Sequence, residues 1–285
     1  MLLPRFALHR PAAIADALAM LAEHGEDASP YAGGTELLLA MKHRVLRYAH
    51  LVDLKRVPGL AGVRVAGDTL VIGALATHRA LERDPLVVRH LPAYAAMTAQ
   101  IANVRVRAAG TLGGNLAFAE PHADPPALLA ALDARVTVAG VDGTREHTMD
   151  EFVVGPFETR RAPGEILTHV TVPLVAGRRA AYVRFGHLER PTIGVAAVLT
   201  LDADGRTVRR ARIRVGSVGG RPAAAVAAEQ ALTGVDAAAV PDVSRDAGRR
   251  AADEVPVDAD LRGAEDYKRH LVGVFVERAL RQAVA

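Results

Sequence analysis

Ile14, Leu18 and Leu21 recur at i, i+4 and i+7 in "PAAIADALAMLAEHG", the spacing of one helical face. The pattern predicts a helix that Pro11 begins, since proline is tolerated in a first turn, and that runs to about Glu23 with Gly25 as its stop. "ELLLAMKHR" (36–44) reads as a second short helix, and "HLVDLKRV" (50–57) as a strand leading to a turn at Pro58 and Gly59. "GVRVAGDTLVIGAL" alternates on both sides of "AGD" and predicts a hairpin. Thr77 stands where it can cap a helix in "THRALERDPLV". A longer helix is expected over "HLPAYAAMTAQIA", and a helix running into a strand over "PPALLAALDARVTVAG". "EILTHVTVPL" reads as a strand that Pro173 ends.

A boundary is expected in "VAGRRAA" (175–181). Beyond it come three strand patterns, "AAYVRFG", "GVAAVLTLDADG" and "RRARIRVGSVGG", and then two helical ones, "RPAAAVAAEQALTG" and "GAEDYKRHLVGVFVERALRQAVA". The intervening residues, 235–263, are rich in Ala, Asp and Pro and carry no clear period. Strands followed by helices imply a sheet covered on one face, an α+β arrangement. No internal repeat is visible.

Composition narrows the function. The chain has 285 residues, half of them hydrophobic, enough for a large buried core in one or two domains. With six Phe, five Tyr and no Trp, that core must be built mostly of Ala, Val and Leu. A formal charge of +3 with the arginines dispersed offers neither the basic stripe nor the stacking aromatics that nucleic-acid binding requires. The absence of cysteine excludes disulfides, zinc-thiolate sites and a cluster held in the usual way by this chain. The N-terminus reads poorly as a signal peptide, because Pro4 breaks its short apolar start. No window approaches the uninterrupted apolar run of about 18 residues that a membrane span needs. A cytoplasmic protein is expected.

Two stretches carry the candidate chemistry. "YAGGTELLLAMK" and "AAGTLGGNLAFAEPHADPP" each contain a glycine pair beside short polar residues, Thr35 in the first and Thr111 and Asn115 in the second. Glycine allows positive φ and close approach of a ligand to the main chain, and successive N–H groups in such a turn can cradle an anion. Two such loops could clasp a diphosphate from two sides. Each alone is weak evidence, since glycine pairs are common in tight turns. Neither is a P-loop, and "GTLGGN" lacks the G-x-G-x-x-G spacing of a Rossmann turn.

Order and flanks add more. A-G-G-T-E-L at 32–37, then T-L-G-G-N-L at 111–116 followed by A-E-P-H-A-D at 119–124, resemble the flavin-binding subunit of the molybdenum hydroxylases. That family includes the medium subunit of aerobic carbon monoxide dehydrogenase and the flavin segment of xanthine dehydrogenase. The resemblance extends through "VIGALATHRALERDPLV", "AEQALTG" and "YKRHLVGVFVERALRQA", and so covers nearly the whole chain. It implies an FAD-binding domain over 1–175, in two subdomains (about 1–55 and 56–175) of the vanillyl-alcohol oxidase-like type. A small α+β C-terminal domain over 180–285 would follow. Ala32, Gly33, Gly34, Thr35 and Glu36 would then wrap the FAD diphosphate from one side, and Gly110, Thr111, Gly113, Gly114 and Asn115 from the other. Asp124 matches a position that bonds the cofactor's sugar region. Ile101 and Leu167 match apolar positions near the cofactor.

Some positions depart from the family pattern. Arg105 and Ala108 stand where Gln and Asn are usual, while Arg107 is kept. Arg184, in "YVRFGHLERPTIG", replaces a common lysine near the flavin. The first loop lacks the histidine of relatives with covalent flavin, so FAD is expected to be held non-covalently. The resemblance further implies partners: a molybdopterin-binding large subunit and a small subunit carrying [2Fe-2S] clusters, in a dimer of heterotrimers. Electrons would pass from those clusters to FAD and on to an external acceptor, with no acid or base catalyst on this chain.

Other readings carry less. Glu120, His122 and Asp124 place three possible ligands in five residues, but Pro121 and the loop setting give no fixed facial geometry for a metal. Ser217 lies between glycines without the G-x-S-x-G elbow of a nucleophile. The amphipathic "YKRHLVGVFVERALRQ" packs on its own sheet more readily than on a partner. A flavin-free assembly or scaffold module that kept the fold is the alternative function. The intact glycines argue against it.

Overall fold

The computed structural model describes residues 2–186 and 189–285. His187 and Leu188, inside the stretch that contains Arg184, lie outside the described residues.

The chain opens with β1 (Ala7–His9), α1 (Ile14–His24) and β2 (Ala28–Tyr31). Pro11 precedes α1 rather than beginning it, and the N-cap is Ala13. Gly25 ends the helix at φ 52° and donates its N–H to the Leu21 carbonyl. The first glycine stretch then leads into α2 (Leu37–Lys42), and β3 (His50–Asp53) inserts between the other two strands in a parallel sheet of order β1-β3-β2. Ala17, Leu18 and Leu21 of α1 pack on Val52 and Leu54, which is the face the 3.6-residue period marks.

β4 (Val63–Ala66) and β5 (Thr69–Gly73) form the expected hairpin, paired Ala66 to Thr69. Five short helices follow: α3 (His78–Leu81), α4 (Pro85–His90), α5 (Pro92–Thr98), α6 (Val104–Ala109) and α7 (Leu112–Phe118). Thr77 caps α3, its side chain accepting from the Ala80 N–H at 3.1 Å. The single long helix expected over "HLPAYAAMTAQIA" is not found. Pro92 begins α5 and holds Leu91 at φ −135°, ψ 58°, because the residue before proline is pushed out of the helical region. α8 (Asp124–Ala131) is buried along its whole length. β6 (Arg135–Gly140), β7 (Gly143–Thr148), α9 (Met149–Phe152), the small pair β8 (Val153–Gly155) and β9 (Glu158–Thr159), and β10 (Ile166–Pro173) complete this part. Its antiparallel sheet has the order β4-β5-β10-β6-β7.

β11 (Arg178–Phe185), β12 (Ile193–Leu201), β13 (Val208–Gly216) and β14 (Ala223–Ala224) form a second antiparallel sheet in that order. It is followed by α10 (Val226–Leu232), α11 (Val240–Glu254) and α12 (Glu265–Val284). The expectation of a sheet covered on one face is corrected here. All nine residues of β12 are buried, because α12 packs on one side of the sheet and α8 on the other. Tyr182, Ala196 and Val198 belong to the core of the preceding part, while Ala181, Val195 and Ala197 belong to the core under α11 and α12. A strand buried on both faces reads as a continuous apolar run, as "IGVAAVLTL" does.

Candidate functional site

The two glycine stretches meet. Residues 110–113 run alongside Ala74–His78. The His78 N–H donates to the Gly110 carbonyl at 3.0 Å, and the Leu112 N–H to the Ala76 carbonyl at 2.9 Å. The first stretch lies against this strip, so that a Cβ on Gly33 would run into the Ala109 carbonyl. Lys55 fixes the first stretch from behind. It donates to the Ala32 carbonyl at 3.2 Å and sits 3.9 Å from the centre of the Tyr31 ring.

The two stretches offer different donors. Among the described residues, no acceptor takes up the N–H groups of Gly33, Gly34 or Thr35, and Gly34 holds φ 70°. The second stretch is not the open turn its glycines suggest. Gly113 and Gly114 lie in the first turn of α7, which Thr111 caps by accepting from the Gly114 N–H at 3.1 Å. The N–H groups of Gly113 and Asn115 are bonded to the Ala74 and Thr111 carbonyls. A row of free amides is thus corrected to a capped helix start, whose Thr111 N–H alone finds no acceptor among the described residues. Gly113 is there for packing, since its Cβ would stand 2.6 Å from that of Ala74.

Between the stretches lies a cavity of about 500 Å³. Ala32, Gly33, Gly34, Thr35, Glu36, Ile101, Gly110, Thr111, Gly113, Gly114, Asn115, Asp124 and Leu167 all line it. Arg184 does not, but it bonds residues that do, Asp124 and Glu189. The Asp124 carboxylate, 4 % exposed, accepts from the Tyr182 hydroxyl at 2.9 Å and from Arg184 Nη1 at 3.1 Å. Arg184 also donates to the Gln100 and Glu189 carbonyls. Burial pushes the Asp124 carboxyl up to about 6 against the opposing pull of Arg184 and Tyr182. Arg107 donates to the Ile101 carbonyl at 2.9 Å and to Glu82, which sets the loop that carries Ile101 into the wall.

The structure adds groups that the sequence does not reveal. His78 lines the cavity with its buried Nδ1 unpartnered. Burial, helped by the nearby Arg107 charge, pushes its pKa down to about 4, so the ring is neutral. Asn115 Oδ1 is likewise buried without a partner. Arg190 spans the stretches, donating to Glu36 at 3.0 Å and to Glu120 at 3.2 Å. Glu120 also accepts from the His122 backbone N–H and contacts His122 Nδ1, while His122 Nε2 contacts Asp260. Burial opposes ionisation of Glu120, yet His122 and Arg190 together hold its pKa below the usual carboxylate range. The "EPHAD" residues are thus parts of an ion-pair network, with both His122 nitrogens facing carboxylates. "THRAL" after the hairpin is the only sequence signal for His78. Arg190 carries none.

The groups present fit an anionic, partly apolar cofactor. Free backbone donors and orphaned polar atoms line one side, and Leu54, Leu75, Ile101, Ile166 and Leu167 supply apolar wall.

Comparison with known proteins agrees with this geometry. Residues 4–175 match the FAD binding domain in molybdopterin dehydrogenase, and residues 183–283 the CO dehydrogenase flavoprotein C-terminal domain. The medium chain of carbon monoxide dehydrogenase from Hydrogenophaga pseudoflava is 33 % identical over 291 residues, covering 100 % of this chain and 99 % of that one. Subunit alpha of the 6-hydroxypseudooxynicotine dehydrogenase complex of Paenarthrobacter nicotinovorans is 36 % identical, covering 94 % and 90 %. The structure of the Hydrogenophaga pseudoflava carbon monoxide dehydrogenase that lacks the Mo-pyranopterin moiety superposes with a TM-score of 0.94 at 35 % identity, over 99 % and 98 % of the two chains. With both matched regions and these relatives spanning nearly its whole length, the chain belongs to the FAD-binding medium subunits of the molybdenum hydroxylases, a family of oxidoreductase components.

Proposed function

We propose that this chain is the electron-transfer subunit of a multi-subunit molybdenum hydroxylase and binds FAD non-covalently in the cavity between the glycine stretches. Bound FAD supplies the redox chemistry, accepting electrons from [2Fe-2S] clusters of a small partner subunit and passing them to an external acceptor. The protein binds and orients. The N–H groups of Gly33, Gly34, Thr35 and Thr111, with the Asn115 side chain, would hold the diphosphate, Asp124 would bond the sugar region, and Ile101 and Leu167 would exclude water. Arg184 positions Asp124. In this reading residues 1–175 form a two-subdomain, vanillyl-alcohol oxidase-like FAD domain (about 1–55 and 56–175), and residues 180–285 a separate C-terminal domain. The molybdopterin-binding large subunit completes a heterotrimer that pairs into a dimer, and the complex is cytoplasmic.

The observation that carries this reading is the row of N–H groups at Gly33 to Thr35, without an acceptor among the described residues, in a stretch that lines the same cavity as the capped start of α7. A flavin-free scaffold would leave those donors and the orphaned His78 and Asn115 atoms without a purpose. The test is Gly114→Val, whose side chain enters the cavity beside Thr111. FAD should be lost on gel filtration while the circular dichroism spectrum is kept. Unchanged flavin content would remove this wall from the binding site.

A further inference from the structure

Three histidines converge at the first sheet, and the flavin cavity uses none of them. His9 ends β1, His50 begins β3 and His24 is the last residue of α1. The parallel register pairs Ala7 with His50 and His9 with Val52, and side chains alternate along strands, so His9, His50 and Val52 share one face. α1 lies on that face, as its packing on Val52 requires, and its last turn brings His24 over His50. The His24 and His50 rings stack at 3.7 Å, and the His9 ring centre is 5.2 Å from that of His50. His9 Nε2 is 2.9 Å from His50 Nδ1. One nitrogen from each ring lies within 4.8 Å of the others, and no Asp or Glu among the described residues joins the group.

We propose that His9, His24 and His50 bind a divalent transition ion of borderline softness, with Zn²⁺ the working case. Imidazole nitrogen selects zinc, copper, nickel or cobalt over the hard cations Mg²⁺ and Ca²⁺. Zinc–nitrogen bonds of about 2.0–2.1 Å bring tetrahedral ligand atoms to roughly 3.3 Å of one another. The His9–His50 pair now stands at 2.9 Å in a hydrogen-bond contact that must open by about 0.4 Å, with loss of the shared proton, to reach this spacing, and His24 closes the remainder by side-chain rotation at a half-buried helix end. Three protein ligands leave one position for water. The ion ties together β1, β3 and the end of α1, the helix that precedes the strand feeding the first glycine stretch.

Equilibrium dialysis of the full chain against Zn²⁺ alone tests this, beside a variant carrying His9→Asn, His24→Asn and His50→Asn. The wild type should bind one equivalent more than the variant, with circular dichroism as the check on folding. Equal binding by the two, or none by the wild type, overturns the proposal. Should the variant misfold, Cu²⁺ added to the wild type decides. Pulsed electron paramagnetic resonance that counts three coordinated imidazoles supports the site, and one or none contradicts it.

Discussion

At the scale of single residues, the glycines of the two stretches have different tasks. Gly33 and Gly113 face protein, the Ala109 carbonyl and Ala74, so a methyl group there disrupts the fold around the cavity. Gly114 meets only its own cap, at 2.9 Å from Thr111 Oγ1, and faces the cavity. The sequence makes the glycines visible but not which of them answer to protein and which to ligand, since that depends on what lies opposite. It cannot show Arg190 either, whose partner Glu36 is 154 positions away. His78 and Asp124 give a testable contrast in pH dependence. His78 titrates near 4 in the folded chain against an ordinary value of 6.5. Its contribution is therefore present above about pH 6.5 and lost as pH falls toward 4. Asp124 is shifted the other way, from 3.8 to about 6, so its contribution is fully present below about pH 3.8 and lost as pH rises through 6. Between pH 4 and 6 the two oppose. Denaturant midpoints across this range should fall more steeply with acid in Asp124→Asn and less steeply in His78→Asn. Profiles parallel to wild type in both would contradict the assigned environments.

At the scale of elements, strong periodicity is legible and small-residue packing is not. α1, the β4–β5 hairpin, β10 and α12 all follow patterns that large apolar side chains make plain. α11 does not, although it runs for 15 residues. Its buried stripe is Val240, Ser244, Ala247, Gly248 and Ala251, a face set apart from a charged one but carrying Val240 as its one branched apolar residue, in a helix that is polar on average. The stripe lets α11 approach α12 closely enough that a Cβ on Gly248 would collide with the Gly273 carbonyl. Gly248→Ala should therefore destabilise the chain by about 1–3 kcal/mol despite alanine's better helix propensity. Chemical denaturation measures this, and a stabilised variant would mean the helices do not cross so closely. The second covered face of the sheet is illegible for a related reason. β12 carries Ala196 and Ala197 on opposite faces, and only the position of α8 in three dimensions shows that both are covered.

At the scale of the whole molecule, one ion-pair chain joins the parts around the cavity. Arg190 binds Glu36 and Glu120, Glu120 meets His122, His122 meets Asp260, and Asp260 is held by the buried Lys268 of α12. Arg190 thus links the first stretch to the second across the cavity mouth. Its side chain is 40 % exposed, so its two pairs together are worth on the order of 1 kcal/mol. Arg190→Ala should speed flavin release by roughly threefold to tenfold in stopped-flow fluorescence, and an unchanged rate would deny Arg190 any part in retention. Among the described residues no helix is long and apolar enough to cross a membrane, and the chain has no cysteine thiolate with which to hold an iron–sulfur cluster. The proposed function requires that this chain carry FAD without a covalent bond. The most direct measurement is the visible spectrum of the purified complex, taken before and after acid precipitation. Flavin bands that move entirely into the supernatant, at one FAD per copy of this chain, are predicted. A supernatant without flavin, from a complex also incubated with excess FAD and desalted, would contradict the account.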